Sequence, residues 1–389
     1  MKKNTNEECI YFDNAATTKI DEEVLKAMVP YLTSGYGNPS SIHSYGRETR
    51  VAIEEARRKI ASLLSVKQNN IIFTSCGTES NNMAIYTALR DFGCNHIITS
   101  KIEHHAVLHT VEHYAREFEL GVSYVKLYED GSIDQNDFRR LLEMKTAMGK
   151  KCLVTLMHAN NETGQFTEIR WISSLCKKYD AIFHSDCVQT IGHYPVNLYM
   201  EGVHMASAAA HKFHGPKGVG FLYVHEDLHP SPLLYGGAQE RGYRAGTENV
   251  ASIIGMAEAL NLSYKHFSEH QQSISAFKQY LVTFLKSTFP DCIINTGRFS
   301  LYSLLNVGFP KNQQTEMLLM QLDRKNICVS GGSACSGGFS HVMNELGKTD
   351  NYINIRFSFS KYNTKEEIVR TVEALKELLE ANTLIAHNS

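Results

Sequence analysis

Four short stretches of this sequence carry residue types that do chemistry. In SGGSACSGG, residues 330–338, one thiol, Cys335, sits among glycines, serines and an alanine. Such a stretch has little apolar area to bury and large conformational freedom. A core cysteine keeps apolar neighbours instead, so Cys335 reads as a thiol on a moving arm. In MASAAAHKFHGPKG, residues 205–218, a run of very small residues delivers His211 and Lys212 into a Gly-Pro turn. Small side chains leave room for a flat ligand, and a lysine there can form a Schiff base if its pKa is lowered. The plain alternative is a solvated turn lysine. In AIFHSDCVQTIG, residues 181–192, Asp186 follows directly on an apolar run. At the carboxyl end of a strand it can pair with a protonated ring nitrogen, with Gln189 as a second ligand contact. It can equally cap a helix. In FTSCGTESNN, residues 73–82, a strand ends at Gly77 and a helix begins near Thr78. Free N–H groups at that start suit a phosphate, although an ordinary hydroxyl cap also fits.

A fifth stretch, IEHHAVLHTVEHYAREF (102–118), contains HTVEH, which matches the H-x-x-E-H pattern of a class of zinc peptidases. At 100° per residue, Val107, Leu108, Val111, Tyr114, Ala115 and Phe118 gather on one side of a helix. His105, His109 and His113 fall opposite, facing solvent, while His104 is directed inward at the helix start. A solvated histidine stripe is the expectation, and no metal site.

These residues need a scaffold that brings strand ends together. Short apolar runs alternate with helical patterns, which argues an α/β fold with a mainly parallel sheet. Strands are expected at 70–73, 96–99, 152–157, 181–185, 203–209 and 219–224, with helices at 47–64, 79–91, 104–118 and 168–178. A long helical pattern runs through 251–287, followed by a helix near 314–324 and a strand at 353–359. In that strand Ile353, Ile355 and Phe357 alternate with Asn354, Arg356 and Ser358, giving one polar face. Thr364 to Glu367 form a capping-box pattern for the last helix.

The 389 residues exceed one ordinary core; two domains are expected at roughly 100–200 residues each. With 39 basic and 41 acidic side chains the formal charge is −2, which gives no bias toward nucleic acid or membrane. Nine cysteines without a C-x-x-C fit neither a disulfide framework nor a zinc ribbon. No signal-peptide core and no membrane-length apolar run is present, so a reducing, cytoplasmic setting is expected. A phosphate site, a carboxylate for a ring nitrogen, a lysine and an inward histidine, all at strand ends, together suit pyridoxal 5'-phosphate.

YFDNAATT (11–18), GNPSSIH (37–43), FTSCGTES (73–80), EHHAVL (103–108), MHANNETG (157–164), HSDCVQ (184–189), HKFHGPKG (211–218), RAGTENV (244–250), GSAC (332–335) and IRFSFS (355–360) occur in unbroken order. In these motifs the chain resembles the cysteine desulfurases, the NifS/IscS-like members of the class V, fold-type I aminotransferases. The resemblance implies a large domain with a mainly parallel seven-stranded sheet and a smaller α+β domain. It places the cofactor domain at 15–260 and the small domain at 1–14 and 261–389, with the cysteine loop at about 328–342. It implies that Lys212 holds the cofactor as a Schiff base, that Asp186 pairs with the pyridine nitrogen and that His104 stacks on the ring. Asn161 and Gln189 would meet the cofactor's phenolic oxygen and the substrate. Gly77, Thr78 and His211 would hold the phosphate, joined by Thr247 from the second subunit of a homodimer. Arg356 would bind the carboxylate of L-cysteine, and Cys335 would take its sulfur as a persulfide for a sulfur-acceptor protein serving Fe–S assembly or tRNA thiolation. Selenocysteine lyase, another class V enzyme and a zinc peptidase on HTVEH are the alternatives.

Two departures from the family pattern stand out. Ala209 occupies the place of a serine that commonly donates to the phosphate, with Ser207 one pleat back. The segment after Cys335, CSGGFSHVMNELG, is a few residues shorter than in long-loop members and lacks their L-E-P-S.

Overall fold

The computed structural model describes residues 9–332 and 340–380. Cys335 therefore lies outside the described residues. The chain starts with a two-residue strand, β1 (Ile10–Tyr11). Helices α1 (Glu22–Thr33) and α2 (Ser44–Leu63) follow, and α1 is capped by Asp21, whose carboxylate accepts from the Glu23 N–H. The central sheet then forms from β2 (Ile71–Thr74), β3 (His96–Thr99), β4 (Gly121–Tyr124), β5 (Cys152–Thr155), β6 (Ile182–Asp186), β7 (Met205–Ala209) and β8 (Gly220–Val224). Its order is β2-β8-β7-β6-β5-β3-β4. Only β8 runs antiparallel to its neighbours in this sheet.

All six expected strands of this sheet are present within a few residues. The seventh, β4, is missing from the sequence reading for a physical reason. It is an edge strand that is half-buried at best, so its residues Gly-Val-Ser-Tyr show no apolar run. The other six are buried along nearly their whole length, as expected of strands covered by helices on both faces. Helices α3 (Gly77–Arg90) and α4 (His105–Glu117) bury Met83, Ile85, Ala88, Val107 and Val111 on one face of the sheet. On the other face α1, α2 and the helix Val250–Lys265 pack together over Ile60, Phe73, Met256 and Leu260.

The pattern expected as one helix over 251–287 is two, Val250–Lys265 and Phe267–Thr288, meeting at His266. The first buries Ile253, Met256 and Leu260 in the core under α1 and α2. The second buries Ile274, Leu281 and Leu285 in another core. The chain changes direction where it leaves one core for the other. This second core is covered by the three-stranded antiparallel sheet β12-β10-β9, with β9 at Ile293–Ile294, β10 at Leu304–Pro310 and β12 at Tyr352–Ser358. The helix Lys365–Glu380 closes it, entered through the expected capping box between Thr364 and Glu367. Strand β11 (Ile327–Cys328) pairs in parallel with β1, and Ile10 and Phe12 pack in the same core.

Candidate active site

A cavity of about 240 Å³ opens along the carboxyl ends of the central strands, the edge where open α/β sheets bind ligands. Its lining includes Gly77, Thr78, His104, Asn161, Asp186, Gln189, His211, Lys212 and Arg356. Nine of the eleven residues singled out in the sequence thus converge on one space. Thr247 does not line it: it is exposed, in a separate depression with Arg244 and Glu240. Cys335 is the eleventh.

The floor is set by β6 and β7. Asp186 ends β6 and is nearly buried. Its carboxylate accepts from the Asn81 side-chain amide at 2.7 Å and from the Val188 N–H at 3.0 Å. It is therefore a carboxylate held in place by a second helix. Lys212 lies just past β7, and its Nζ donates to the carbonyls of Ala15 at 2.7 Å and Ala16 at 2.9 Å. The N-terminal arm is pinned there by the Thr18 N–H, which donates to the His211 carbonyl at 2.9 Å. Gln189 donates to the same Ala15 carbonyl at 3.1 Å. Ala15, Ala16, Ala159 and Ala209 keep the lining shallow.

One wall is the start of α3. A Cβ on Gly77 would come within 2.8 Å of Val188 Cγ2, so only glycine lets α3 begin this close to the strand ends. The turn before it is fixed by Glu79, which accepts from the Ser75 N–H at 2.8 Å and from Arg244 Nε at 2.8 Å. The residue before α3, Cys76, makes no side-chain cap. The hydroxyl cap weighed for this turn is thus absent, and the first N–H groups of the helix lack intrahelical partners. His211 Nδ1 lies 3.2 Å from Thr17 Oγ1. Burial, then the charges of Lys212 and Lys217, lower its pKa to about 4, so its ring is neutral. Ser207 does not replace the absent hydroxyl at Ala209. Its Oγ lies 3.0 Å from His184 Nε2, inside the sheet, with Thr155 on the other ring nitrogen.

The opposite wall is Arg356 on β12. The polar face of this strand, Asn354, Arg356 and Ser358, is buried as fully as the apolar one: the N-terminal arm covers Arg356 and Ser358, and Asn354 bonds Asn295 and the Lys348 carbonyl. Arg356 Nη2 donates to Asp13 at 2.7 Å and Nη1 to the Asn161 carbonyl at 2.8 Å. Its Nε has no partner among the described residues. The backbone of Arg356 bridges to Ser330, five residues before Cys335. On the far side of that segment Ser340 donates to Glu162, next to Asn161, and caps the helix His341–Glu345.

His104 caps α4 by accepting from the Ala106 N–H at 3.1 Å and lines the cavity. Burial, followed by the positive charges around Lys212, His105 and His341, lowers its pKa against the pull of Asp186. The histidine stripe differs from expectation in one place. His109 and His113 are exposed, but His105 is half-buried, its ring 4.4 Å from that of His341 and 4.8 Å from that of His109. No group of three potential ligands with metal-holding geometry occurs among the described residues. Sequence reasoning also missed Asn81, Asp13 and the carbonyls of Ala15 and Ala16. It missed Glu103 as well, fully buried, whose carboxyl accepts from the Met157 N–H and Ser100. Burial pushes the pKa of Glu103 up to about 8.

A lysine amine, a buried carboxylate, a neutral imidazole, helix-start N–H groups and a guanidinium around a small-residue floor define the site of a group-transfer enzyme on a doubly wound sheet. The class-V aminotransferase family matches residues 10–371, and the chain belongs to that family. Within it the chain groups with the cysteine desulfurases. It is 42% identical to the cysteine desulfurase IscS of Dictyoglomus turgidum, over 95% of this chain and 94% of that protein. Among solved structures, a NifS-like protein superposes with a TM-score of 0.89 at 36% identity, covering 96% of this chain and all of its own. A structure of SspA in complex with cysteine matches with a TM-score of 0.77 at 30% identity, over 91% of this chain and all of its own. No helix among the described residues is long and apolar enough to cross a membrane.

Proposed function

We propose that this cavity is where the chain, a cysteine desulfurase, takes sulfur from L-cysteine with the help of pyridoxal 5'-phosphate. The observation that carries the reading is the single space lined together by Lys212, Asp186, His104 and Arg356. The residues present fit the cofactor's chemistry. A carboxylate oriented by Asn81 suits a protonated ring nitrogen, helix-start N–H groups suit a phosphate, and the alanine floor admits a flat ring. When bound, the cofactor supplies an electron sink for the pair released at the substrate Cα.

The chain's own residues supply the rest. Lys212 would hold the cofactor through Nζ, and its free amine would carry the Cα proton. Asp186 would pair with the ring nitrogen, and His104, with its pKa lowered chiefly by burial, would lie against the ring and carry a proton near the departing sulfur. Asn161 and Gln189 meet the cofactor's phenolic oxygen. Gly77, Thr78 and His211 hold the phosphate, with Thr247 entering from a second subunit. Arg356 grips the substrate carboxylate through its guanidinium. Cys335 attacks the substrate sulfur as a thiolate. The C–S bond breaks, an S–S bond forms on Cys335, and the rest leaves as L-alanine with a proton in place of sulfur.

Residues 15–260 form the cofactor-binding domain in this proposal, and 1–14 with 261–389 the small domain bearing the cysteine loop. The separate cores around Phe73 and Phe357 support that division. A homodimer is supported by an exposed apolar patch on α1, α2 and the loop between them: Leu25, Val29, Leu32, Tyr36, Ile42 and Val51. The persulfide passes to a sulfur-acceptor protein for Fe–S assembly or tRNA thiolation. A cytoplasmic location is supported by the cysteine pattern, nine residues without the paired spacing of a disulfide framework.

Purified protein incubated with L-cysteine is expected to yield alanine and a persulfide on Cys335. Lys212→Ala should lose both the bound cofactor's visible absorbance and all turnover. Cys335→Ala should keep the absorbance and lose the persulfide. Normal alanine production by Cys335→Ala would sink the assignment of that thiol.

A further inference from the structure

Outside the cavity, two thiols from opposite ends of the chain meet. The sulfurs of Cys9 and Cys328 lie 3.5 Å apart. The parallel pairing of β1 with β11 brings them together: Tyr11 stands opposite Cys328, and Cys9 precedes Tyr11 by two residues, on the same strand face. Cys9 is exposed and Cys328 half-buried, so a small reagent can reach the pair. Cys76 and Cys292 are also half-buried, but no other pair of cysteine sulfurs is in contact among the described residues. Cys94, Cys152, Cys176 and Cys187 are buried in the sheet and its helices.

We propose that Cys9 and Cys328 are a redox modification site that closes to a reversible disulfide. Disulfide sulfurs sit about 2.05 Å apart, so closure needs a shift of roughly 1.5 Å. Cys9, exposed and ahead of the first ladder pair at Ile10, can supply it with its side chain, while the Ile10 N–H that follows stays on the Asn326 carbonyl at 2.9 Å. The oxidant is a low-molecular-weight disulfide such as oxidised glutathione. The Cys9 thiolate attacks one of its sulfurs and expels the first thiolate. The Cys328 thiolate then attacks the Cys9 sulfur and expels the second. Two protein thiols are oxidised to one disulfide, one external disulfide is reduced to two thiols, and the two protons pass to the leaving thiolates.

The position gives the bridge its meaning. Strand β1 runs on to Asp13, Ala15 and Ala16, the partners of Arg356 and Lys212. Strand β11 runs on to Ser330, which is bridged to the Arg356 backbone. A bond between Cys9 and Cys328 staples together the two strands that feed the site.

The test needs no turnover and stands apart from the desulfurase reading. Cofactor-loaded Cys335→Ala protein, which cannot contribute the loop thiol, is reduced, exposed to oxidised glutathione and digested without reduction. The expected result is the loss of two thiols, no retained glutathione, and one linked peptide pair joining Cys9 to Cys328, all reversed by dithiothreitol. The Cys9→Ser variant in the same background should yield no linked pair. Separate glutathione adducts on Cys9 and Cys328, a bridge to another cysteine, or no reaction at either thiol would overturn the proposal.

Discussion

The two walls of the cavity are equipped for negative charge in different ways. At the start of α3 the donors belong to the backbone, the neighbouring His211 is neutral, and Ala209 adds no hydroxyl. At β12 the donor is one buried guanidinium, already balanced by Asp13 at 2.7 Å. A helix start binds an anion through fixed dipoles that survive side-chain replacement. A buried guanidinium concentrates the same task in one residue, and its loss leaves Asp13 without its cation. A tightly kept cofactor suits the first wall. A substrate that must enter and leave each cycle suits the second, where in the proposed function one side chain would set both affinity and orientation.

That contrast predicts its largest effect at Arg356. Arg356→Lys keeps the charge but loses the planar fork that reaches Asp13 and Asn161 together. Losing one charge-assisted contact costs about 1.5–3 kcal/mol, or about 10- to 150-fold. The KM for L-cysteine should rise by that factor while the bound cofactor's absorbance stays at the wild-type level. Steady-state kinetics with a cofactor spectrum on the same sample checks both. An unchanged KM, or a parallel loss of cofactor, would erase the distinction between the walls.

The opposite wall offers a gain rather than a loss. Ala209 lies at the end of β7, and its Cβ is 3.6 Å from where a Gly77 side chain would begin. Ala209→Ser places a hydroxyl beside the helix-start N–H groups. A hydrogen bond of about 1 kcal/mol corresponds to roughly five-fold slower cofactor release. The measurement is cofactor loss on dilution. Retention at or below the wild-type level would mean that this wall lacks no donor.

Legibility in the sequence followed range. Lys212 and Asp186 were readable because an apolar run stops at each, which marks a strand end. Gly77 was readable as a strand-to-helix turn. Their partners were not, since nothing local in YFDNAATT says that the Ala15 and Ala16 carbonyls will face Lys212, or that Asp13 will face Arg356. Helical periodicity placed His109 and His113 correctly at the surface. It could not foresee His341 arriving from beyond the cysteine segment to cover His105. The strand β4 was lost because an edge strand need not be apolar.

The smallest predicted effect is a flat line. Burial and then the charges of Lys212 and Lys217, acting alone, lower the pKa of His211 to about 4, so it then adds no positive charge to the α3 wall near neutral pH. Provided the bound phosphate leaves that value low, cofactor affinity of wild type and His211→Gln should keep a constant ratio, within about two-fold, from pH 8 down to roughly 5.5. The phosphate's own titration near pH 6 is common to both proteins and cancels in the ratio. An imidazole at its ordinary value would make the wild-type advantage climb as pH falls through about 6.5. The lower bound on pH follows from the same shift. Where a folded histidine stays neutral and its unfolded counterpart takes a proton, stability is complete above the unfolded pKa. It falls as pH drops from there toward the folded one. A ratio that rises between pH 7 and 6 would put a cation at the helix start, and the two walls would then bind anions by the same means.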